Sequence, residues 1–256
     1  MPDSVVLQNH FAVAGVGELY TAGRPYVHDA AAREICRHAG YSRTAVDVGA
    51  GTGLSARALL RCADTIVGVE PSGEMIGAAF RHRAIRYVAG CGEDIPLTSD
   101  SCDLATVGAA YHWCDRDALF GELTRVVRRD GWVAIYDIEL VKVAESPMLL
   151  DWLRAEYWSR LPWCPHHHDF DARTHVRPPF ALVTDVVLHE VVPMTLDTAV
   201  SFVLSQASSI NAVAVGSDSR DALQDRLRRG FQSHFPRGGA AAVGFDLPLA
   251  LLRKTR

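Results

Sequence analysis

Lysine is scarce in this chain, which has it at Lys142 and Lys254 alone. The 256 residues carry 26 basic and 30 acidic side chains, for a formal net charge of −4. Proteins that bind nucleic acid present a basic face to the phosphates, and this composition indicates none. We therefore expect no nucleic-acid partner, whereas local arginines leave small anionic or uncharged substrates possible.

Long apolar runs and paired cysteines are absent as well. A membrane-spanning helix needs about 18 or more consecutive apolar residues, and the sequence has no such run. The first residues, MPDSVVLQNH, lack the basic and apolar regions of a secretory signal peptide. The six cysteines are scattered without a CxxC pair. These absences predict a cytoplasmic protein with reduced thiols, no membrane partner and no bound metal.

Short apolar strands alternate with helical patterns through the first half of the chain. The strands are predicted at 44–49, 65–70, 84–90, 102–110 and 132–140. Such alternation is typical of βαβ units. It predicts a doubly wound α/β fold whose mostly parallel sheet is covered by helices on both faces.

After the fifth strand the pattern changes. Two further strands, at 180–192 and 243–254, bring the sheet to seven, with Pro248 predicting a bulge or an edge position in the last one. Helical insertions are predicted at 147–160, 196–210 and 219–231. We expect one domain over residues 1–256.

A glycine-rich loop, VDVGAGTGLS, follows the first strand and opens a helix. Gly49, Gly51 and Gly53 form a G-x-G-x-G pattern, which lets a ligand touch the backbone and offers helix N–H groups to an anion. A dinucleotide-binding loop would need a small residue at Leu54, so the pattern argues against a dehydrogenase that binds NAD.

Two acidic positions follow the loop. Glu70 ends the second strand, where a carboxylate is placed to accept hydrogen bonds from ribose hydroxyls. The segment GCGEDIPL, residues 90–97, follows the third strand, where backbone and side chain can frame an adenine ring.

These motifs occur in the order VDVGAGTG, VGVEPSGEMI, GCGEDIPLTSDSCDLATVGAAYHW and RVVRRDGWVAIYD. In this order the chain resembles the class I S-adenosylmethionine-dependent methyltransferases over about residues 18–140. Tyr20-Thr-Ala-Gly-Arg24-Pro25-Tyr26, Gly90-Cys91-Gly92-Glu93 and His112-Trp113 are similar to segments of the trans-aconitate methyltransferases. Many relatives have Asp in place of Cys91 and Phe in place of Cys114.

The resemblance implies S-adenosylmethionine as cofactor and a cofactor-binding core over 18–140. It implies cofactor contacts at Tyr20, Arg24, Asp47, Gly49, Ala50, Gly51, Gly53, Glu70, Pro71, Ser72, Met75, Gly92, Glu93 and Ala109. Tyr20 and Arg24 would approach the cofactor carboxylate, and Glu70 would take the ribose. Residues 141–178 and 196–236 would cap the substrate, as segments after the fifth strand do in the family.

The implied reaction is methyl transfer to a small molecule, with O-methylation of a carboxylate or hydroxyl favoured and N- or C-methylation possible. His112, just past the fourth strand, is the catalytic candidate, as a proton acceptor or as a pocket wall. Candidate substrate contacts are Tyr111, Trp113, His166, His167 and Gln206.

The stretch WCPHHHDFD, residues 163–171, has metal-ligand residue types. Adjacent histidines rarely converge on one ion, so we expect a loop, either solvated or covering the substrate, and no metal. Two other readings of the whole chain stay open: a methyltransferase fold with a non-methylating reaction, and a non-catalytic ligand-binding module. The oligomeric state stays open too.

Overall fold

The computed structural model describes residue 11 and residues 14–143, 148–162 and 176–255. In this part of the chain eight strands form one sheet, in the order β3-β2-β1-β4-β5-β8-β6, with β7 on the other side of β8. The strands are β1 Ser42–Val48, β2 Ala63–Glu70, β3 Ile85–Ala89, β4 Cys102–Gly108, β5 Val127–Tyr136, β6 Glu139–Val143, β7 Phe180–Thr195 and β8 Ala240–Lys254.

Strands β1 to β5 are all parallel, whereas β8 runs antiparallel to its three neighbours. Every residue of β4 is buried, as are the last four of β1, because parallel strands in this fold are covered on both faces. The predicted doubly wound α/β fold is confirmed.

Helices cover the two faces. The α-helices of the described residues are α1 Val16–Gly23, α2 His28–Ala39, α3 Leu54–Leu59, α4 Gly73–Ala78, α5 Arg116–Val126, α6 Met148–Trp152, α7 Leu196–Leu204, α8 Ala207–Ala214 and α9 Arg220–Phe231. Helices α2, α3, α7 and α9 contribute to one apolar core. Helix α5 packs into the core on the opposite face.

The structure has one strand more than the predicted seven. The predicted strand 132–140 is divided at Asp137 and Ile138, so that β6 begins at Glu139. Both β5 and β6 pair with β8, at opposite ends of that long strand. The apolar pattern runs across the break, which is why the sequence predicts one strand.

Pro248 lies in an interior strand rather than at an edge or a bulge, which corrects the prediction. Its β8 neighbours Leu249 and Leu247 lie beside the end of β5 and the gap before β6. A proline lacks the N–H that a continuous neighbour would need, so the break between β5 and β6 accommodates it. The Pro248 carbonyl accepts a hydrogen bond from the Asp137 N–H at 3.1 Å.

Two predicted helices are interrupted. The segment 196–210 divides between Leu204 and Ala207, where Ser205 is fully buried. The segment 147–160 begins as α6 and continues as a π turn, Leu153–Tyr157, and a 3-10 turn, Trp158–Arg160. No helix in the described ranges is long and apolar enough to cross a membrane.

Lys254, one of the two lysines, ends β8 beside the junction of α5 and β5. Its side chain is 9% exposed, and Nζ donates to the carbonyls of Thr124 and Val127 at 2.8 and 2.6 Å. The strand order reverses between β1 and β4, and ligands of open α/β sheets bind at the carboxyl ends of the strands at this point.

Candidate active site

A cavity of about 420 Å³ opens at the carboxyl edge of β1, β2 and β4. Its walls are Phe11, Tyr20, Val48, Gly49, Gly51, Glu70, Pro71, Met75, Cys91, Gly92, Glu93, Ala109, Ala110, Trp113, Cys114 and Asp115. Nine of the predicted cofactor residues are among them. Asp47, Ala50, Gly53, Ser72 and Arg24 are not.

The glycine loop forms a side-chain-free wall of this cavity. Gly49 and Gly51 have positive φ, 69° and 53°. A Cβ at Gly49 would lie 2.4 Å from the Cβ of Ala110, so the loop and the segment after β4 approach too closely for a side chain. A Cβ at Gly51 would meet no protein atom within 4 Å. Because Gly51 borders the cavity, that open space is where a ligand can contact the backbone.

Glu70 joins the end of β2 to this loop. Its Oε2 accepts the Gly51 N–H at 2.9 Å and its Oε1 accepts the Ser72 N–H at 2.9 Å. A carboxylate has about four acceptor sites, so the two oxygens can still accept hydrogen bonds from a ligand in the cavity. Burial raises the pKa of Glu70 above its ordinary value, while the two N–H groups act in the opposite direction.

Asp47 lies behind the loop, fully buried in β1. Its Oδ1 accepts the Thr106 hydroxyl at 2.7 Å, and its Oδ2 accepts the Ser55 hydroxyl. Burial raises its pKa to about 6, with these hydrogen bonds opposing the rise. Asp47 therefore supports the loop and the start of α3 from beneath.

Three aromatic rings stand on one side of the cavity. The ring of Phe11 contacts Tyr20 edge to face at 6.1 Å between centroids and Trp113 at 5.2 Å. The Phe11 carbonyl accepts the Ser72 hydroxyl at 2.6 Å, which ties it to the start of α4. Phe11 thus bridges the α1 side and the β4 side of the cavity. No sequence motif indicates this residue, because Phe11 lies before the first motif.

The opposite wall follows β3 and the start of α5. Glu93 Oε1 accepts the Asp115 N–H at 2.6 Å. A Cβ on Gly92 would lie 2.8 Å from Cys114 Sγ, so glycine is needed where these segments meet. Burial raises the pKa of Cys91, and raises that of Cys114 to about 12, so both thiols stay protonated at neutral pH.

Arg24 does not border the cavity. Its guanidinium lies 4.3 Å from the centroid of the Tyr20 ring, and Nη2 donates to the Ser205 carbonyl at 3.0 Å. Its Nε is buried without a hydrogen-bond partner among the described residues. Arg24 therefore connects α1 to the end of α7. The contact between Arg24 and the cofactor carboxylate stays a prediction.

The candidate substrate residues are dispersed. Trp113 borders the cavity. Tyr111 is buried, and the guanidinium carbon of Arg116 lies 5.3 Å from the centroid of the Tyr111 ring. Gln206 accepts the Trp158 indole N–H at 3.0 Å and is not part of the wall. His112, the catalytic candidate, is not part of the wall either, and its Nδ1 lies 3.4 Å from Asp137 Oδ2.

The predicted substrate residues His166 and His167, with the whole stretch 163–171, lie outside the described residues. Within the ranges that the structure describes, no three His, Cys, Asp or Glu side chains come together as metal ligands.

Comparison with known proteins finds similarity to methyltransferases. Residues 46–135 match a family model described as a methyltransferase domain. A solved structure from Anaeromyxobacter dehalogenans, assigned as a type II methyltransferase, superposes with a TM-score of 0.70 at 20% identity, over 88% of this chain and 95% of that one. The chain has the class I methyltransferase fold.

Curated proteins from several organisms match at the sequence level. A Dictyostelium discoideum protein assigned as a methyltransferase is 30% identical over 132 residues, 51% of this chain and 50% of that protein. A Saccharomyces cerevisiae protein assigned as an S-adenosylmethionine-dependent methyltransferase is 26% identical over 169 residues, 62% of this chain and 57% of that protein. The chain therefore spans only about half the length of these relatives.

Proposed function

We propose that this protein is an S-adenosylmethionine-dependent methyltransferase that acts on a small molecule. The main observation behind the proposal is the open space beside Gly51. A ligand in that space can contact the backbone and can also form a hydrogen bond with the Glu70 carboxylate. The match of residues 46–135 to a methyltransferase domain supports it.

The residues around the cavity fit the cofactor part by part. The Gly49–Gly51 backbone would hold the methionine portion, and Glu70 the ribose hydroxyls. Pro71, Met75 and the Gly92–Glu93 segment would enclose the adenine. The charged side chains on the described wall, Glu70, Glu93 and Asp115, are all acidic, which suits a cofactor with a sulfonium and an ammonium group.

The bound cofactor supplies an activated methyl group, and the protein supplies position and surroundings. Three aromatic rings border the cavity, those of Trp113, Tyr20 and Phe11. Aromatic rings can attract a sulfonium and exclude water. Holding the acceptor in line within about 3–3.5 Å of the methyl group provides much of the acceleration.

For the acceptor, O-methylation of a carboxylate or a hydroxyl is the favoured reaction, ahead of N- or C-methylation. Segments 141–178 and 196–236 follow the core and are the proposed substrate cap.

Calorimetry with S-adenosylmethionine and with its demethylated product tests the cofactor site. We expect both to bind at sub-millimolar concentration, and Glu70→Gln to weaken binding by about 1–3 kcal/mol. Glu190→Gln is the matched control, because Glu190 is a carboxylate on β7 that pairs with Arg33 at 2.7 Å, away from the cavity. No binding by the unchanged protein refutes the proposal. Binding without transfer to any acceptor class would indicate a ligand-binding module.

A further inference from the structure

Strand β7 forms one edge of the sheet. It spans 16 residues, Phe180–Thr195, and pairs along nearly its whole length with β8. In the described ranges no strand pairs with its other side. Strands of globular proteins are usually about 5–6 residues long, and natural edge strands are often shorter or carry lysine. Because β7 is long and has no lysine, its outer edge can accept a further strand.

Pro248 shows which residues of β7 face that edge. In an antiparallel ladder, opposite residues alternate between pairs that exchange two hydrogen bonds and pairs that exchange none. Pro248 lies opposite Val187, has no N–H, and its carbonyl accepts the Asp137 N–H on the other side of β8. Val187 and Pro248 therefore exchange no hydrogen bond, so the N–H and C=O of Val187 point to the outer edge. Every second residue does the same, and Pro193, which needs no N–H partner, falls in this set.

The same residues form an exposed and mostly apolar row. Val187 and Val191 are 50% and 65% exposed, and the side chain of His189 between them is 74% exposed. Asp185 continues the row as an exposed acid. Side chains on the other face of β7, such as Leu188, pack against the core instead. One set of residues therefore combines outward backbone groups with exposed side chains.

We propose that β7 pairs antiparallel with β7 of a second copy of this chain, about a two-fold axis through Val187, so that one sheet runs through a dimer. In this register Val187 lies opposite its own copy, and Asp185 of each chain lies opposite His189 of the other. Cross-strand valine pairs and acid–imidazole pairs favour association. An axis at Asp185 would place two acids opposite each other, and an axis at His189 would place two imidazoles opposite each other.

The dimer contact is separate from the cavity. No residue of β7 or β8 belongs to the described cavity wall, so the inference does not depend on the proposed function. The contact is self-complementary and therefore closes at two copies. A single strand pair is a small interface, and small interfaces are typical of weak complexes. We therefore expect the dimer to form at micromolar concentration.

Sedimentation velocity over a range of protein concentrations tests the dimer. We expect the mass of one chain at nanomolar concentration and twice that mass at high micromolar concentration. Val187→Lys should keep the mass of one chain throughout, because two like charges would meet at the axis. Val215→Lys is the matched control. Val215 is 56% exposed at the end of α8, and its substitution should leave association unchanged.

Cross-linking tests the register. A short bismaleimide should join the two copies of Val187→Cys through residue 187, as identified by mass spectrometry of the linked peptide. Val191→Cys is the control, because its two copies are eight residues out of step in this register, about 27 Å along the strands. The reagent should therefore link residue 187 to itself and leave residue 191 unlinked.

The mass of one chain at every concentration of the unchanged protein overturns the proposal. A dimer that persists in Val187→Lys overturns it too, as does a dimer in which residue 187 does not link to its own copy. Calorimetry with S-adenosylmethionine keeps this result apart from the proposed function. We expect Val187→Lys to bind the cofactor as the unchanged protein does, whatever the mass of either.

Discussion

Glu70 accepts the backbone N–H of Gly51 at 2.9 Å, so the acid that ends β2 and the loop that follows β1 form one rigid wall. The two residues are 19 apart in the chain, yet both face the same cavity. This contact pre-positions the ribose-binding and methionine-binding parts of the proposed cofactor site relative to each other.

Gly51→Ala should block the cofactor site in a protein that still folds. The new Cβ meets no protein atom and points into the space that the ligand would occupy. We expect cofactor affinity to fall about tenfold or more. The positive φ also strains the alanine, which lowers the stability of the variant by about 1–2 kcal/mol.

Gly40→Ala is the control for that variant. Gly40 also has a positive φ, 69°, and open space at its Cβ, and it lies outside the cavity wall, so its substitution strains the backbone without touching the site. Thermal unfolding should show a loss of stability in both variants, and calorimetry should show a loss of affinity only in Gly51→Ala. Equal affinities would contradict the proposed contact.

Asp47 should make the folded protein less stable as pH rises. Its pKa is about 6 in the folded state, above the unfolded value, so its contribution is present below about pH 4 and is lost as pH rises through 6. A difference of about two in pKa corresponds to at most about 3 kcal/mol. Asp47→Asn is uncharged and lacks this dependence.

Urea unfolding between about pH 4 and pH 7 measures the effect as the difference between the unchanged protein and Asp47→Asn. Asp221→Asn, at the exposed start of α9, should follow the unchanged protein. Stability curves for Asp47→Asn that run parallel to those of the unchanged protein would refute a raised pKa at Asp47.

Phe11→Ala should weaken cofactor binding while leaving the core intact. The ring contacts Tyr20 and Trp113, and aromatic pairs of this kind contribute about 0.5–1.5 kcal/mol. We expect a rise in Kd of about 3- to 10-fold by calorimetry. Phe80→Ala, which removes a partly buried ring stacked on His82 outside the cavity wall, should leave Kd unchanged.

Cys91 should alkylate slowly at neutral pH and be protected further by the cofactor. Burial raises its pKa, which lowers the thiolate fraction that reacts. Mass spectrometry after iodoacetamide treatment, with and without S-adenosylmethionine, measures both effects. Cys36 on α2 is an internal control, because it lies away from the cavity and should show no protection. Protection of both thiols alike would point to global stabilisation instead.

The sheet and much of the cavity were predictable because their signals are local. Buried strands such as β4 are continuous apolar runs, and the glycine loop and Glu70 stand at strand ends. Phe11 and Cys114 were not predicted as parts of the site, because their roles depend on neighbours distant in the chain. Asp137 lies inside what the sequence indicates to be one strand, and only the break after Tyr136 turns it toward His112.

Strand β8 has a kinetic consequence for this chain. It is the last strand in chain order, yet it pairs with β5, β6 and β7. Until Ala240–Lys254 docks, these three strands have unpaired edges, which are prone to association with other chains. The contacts that β8 makes with β5 span more than a hundred residues, so sheet completion must be a late and slow step of folding. Variants that weaken β8 should therefore lower the yield of folded protein before they change the finished site.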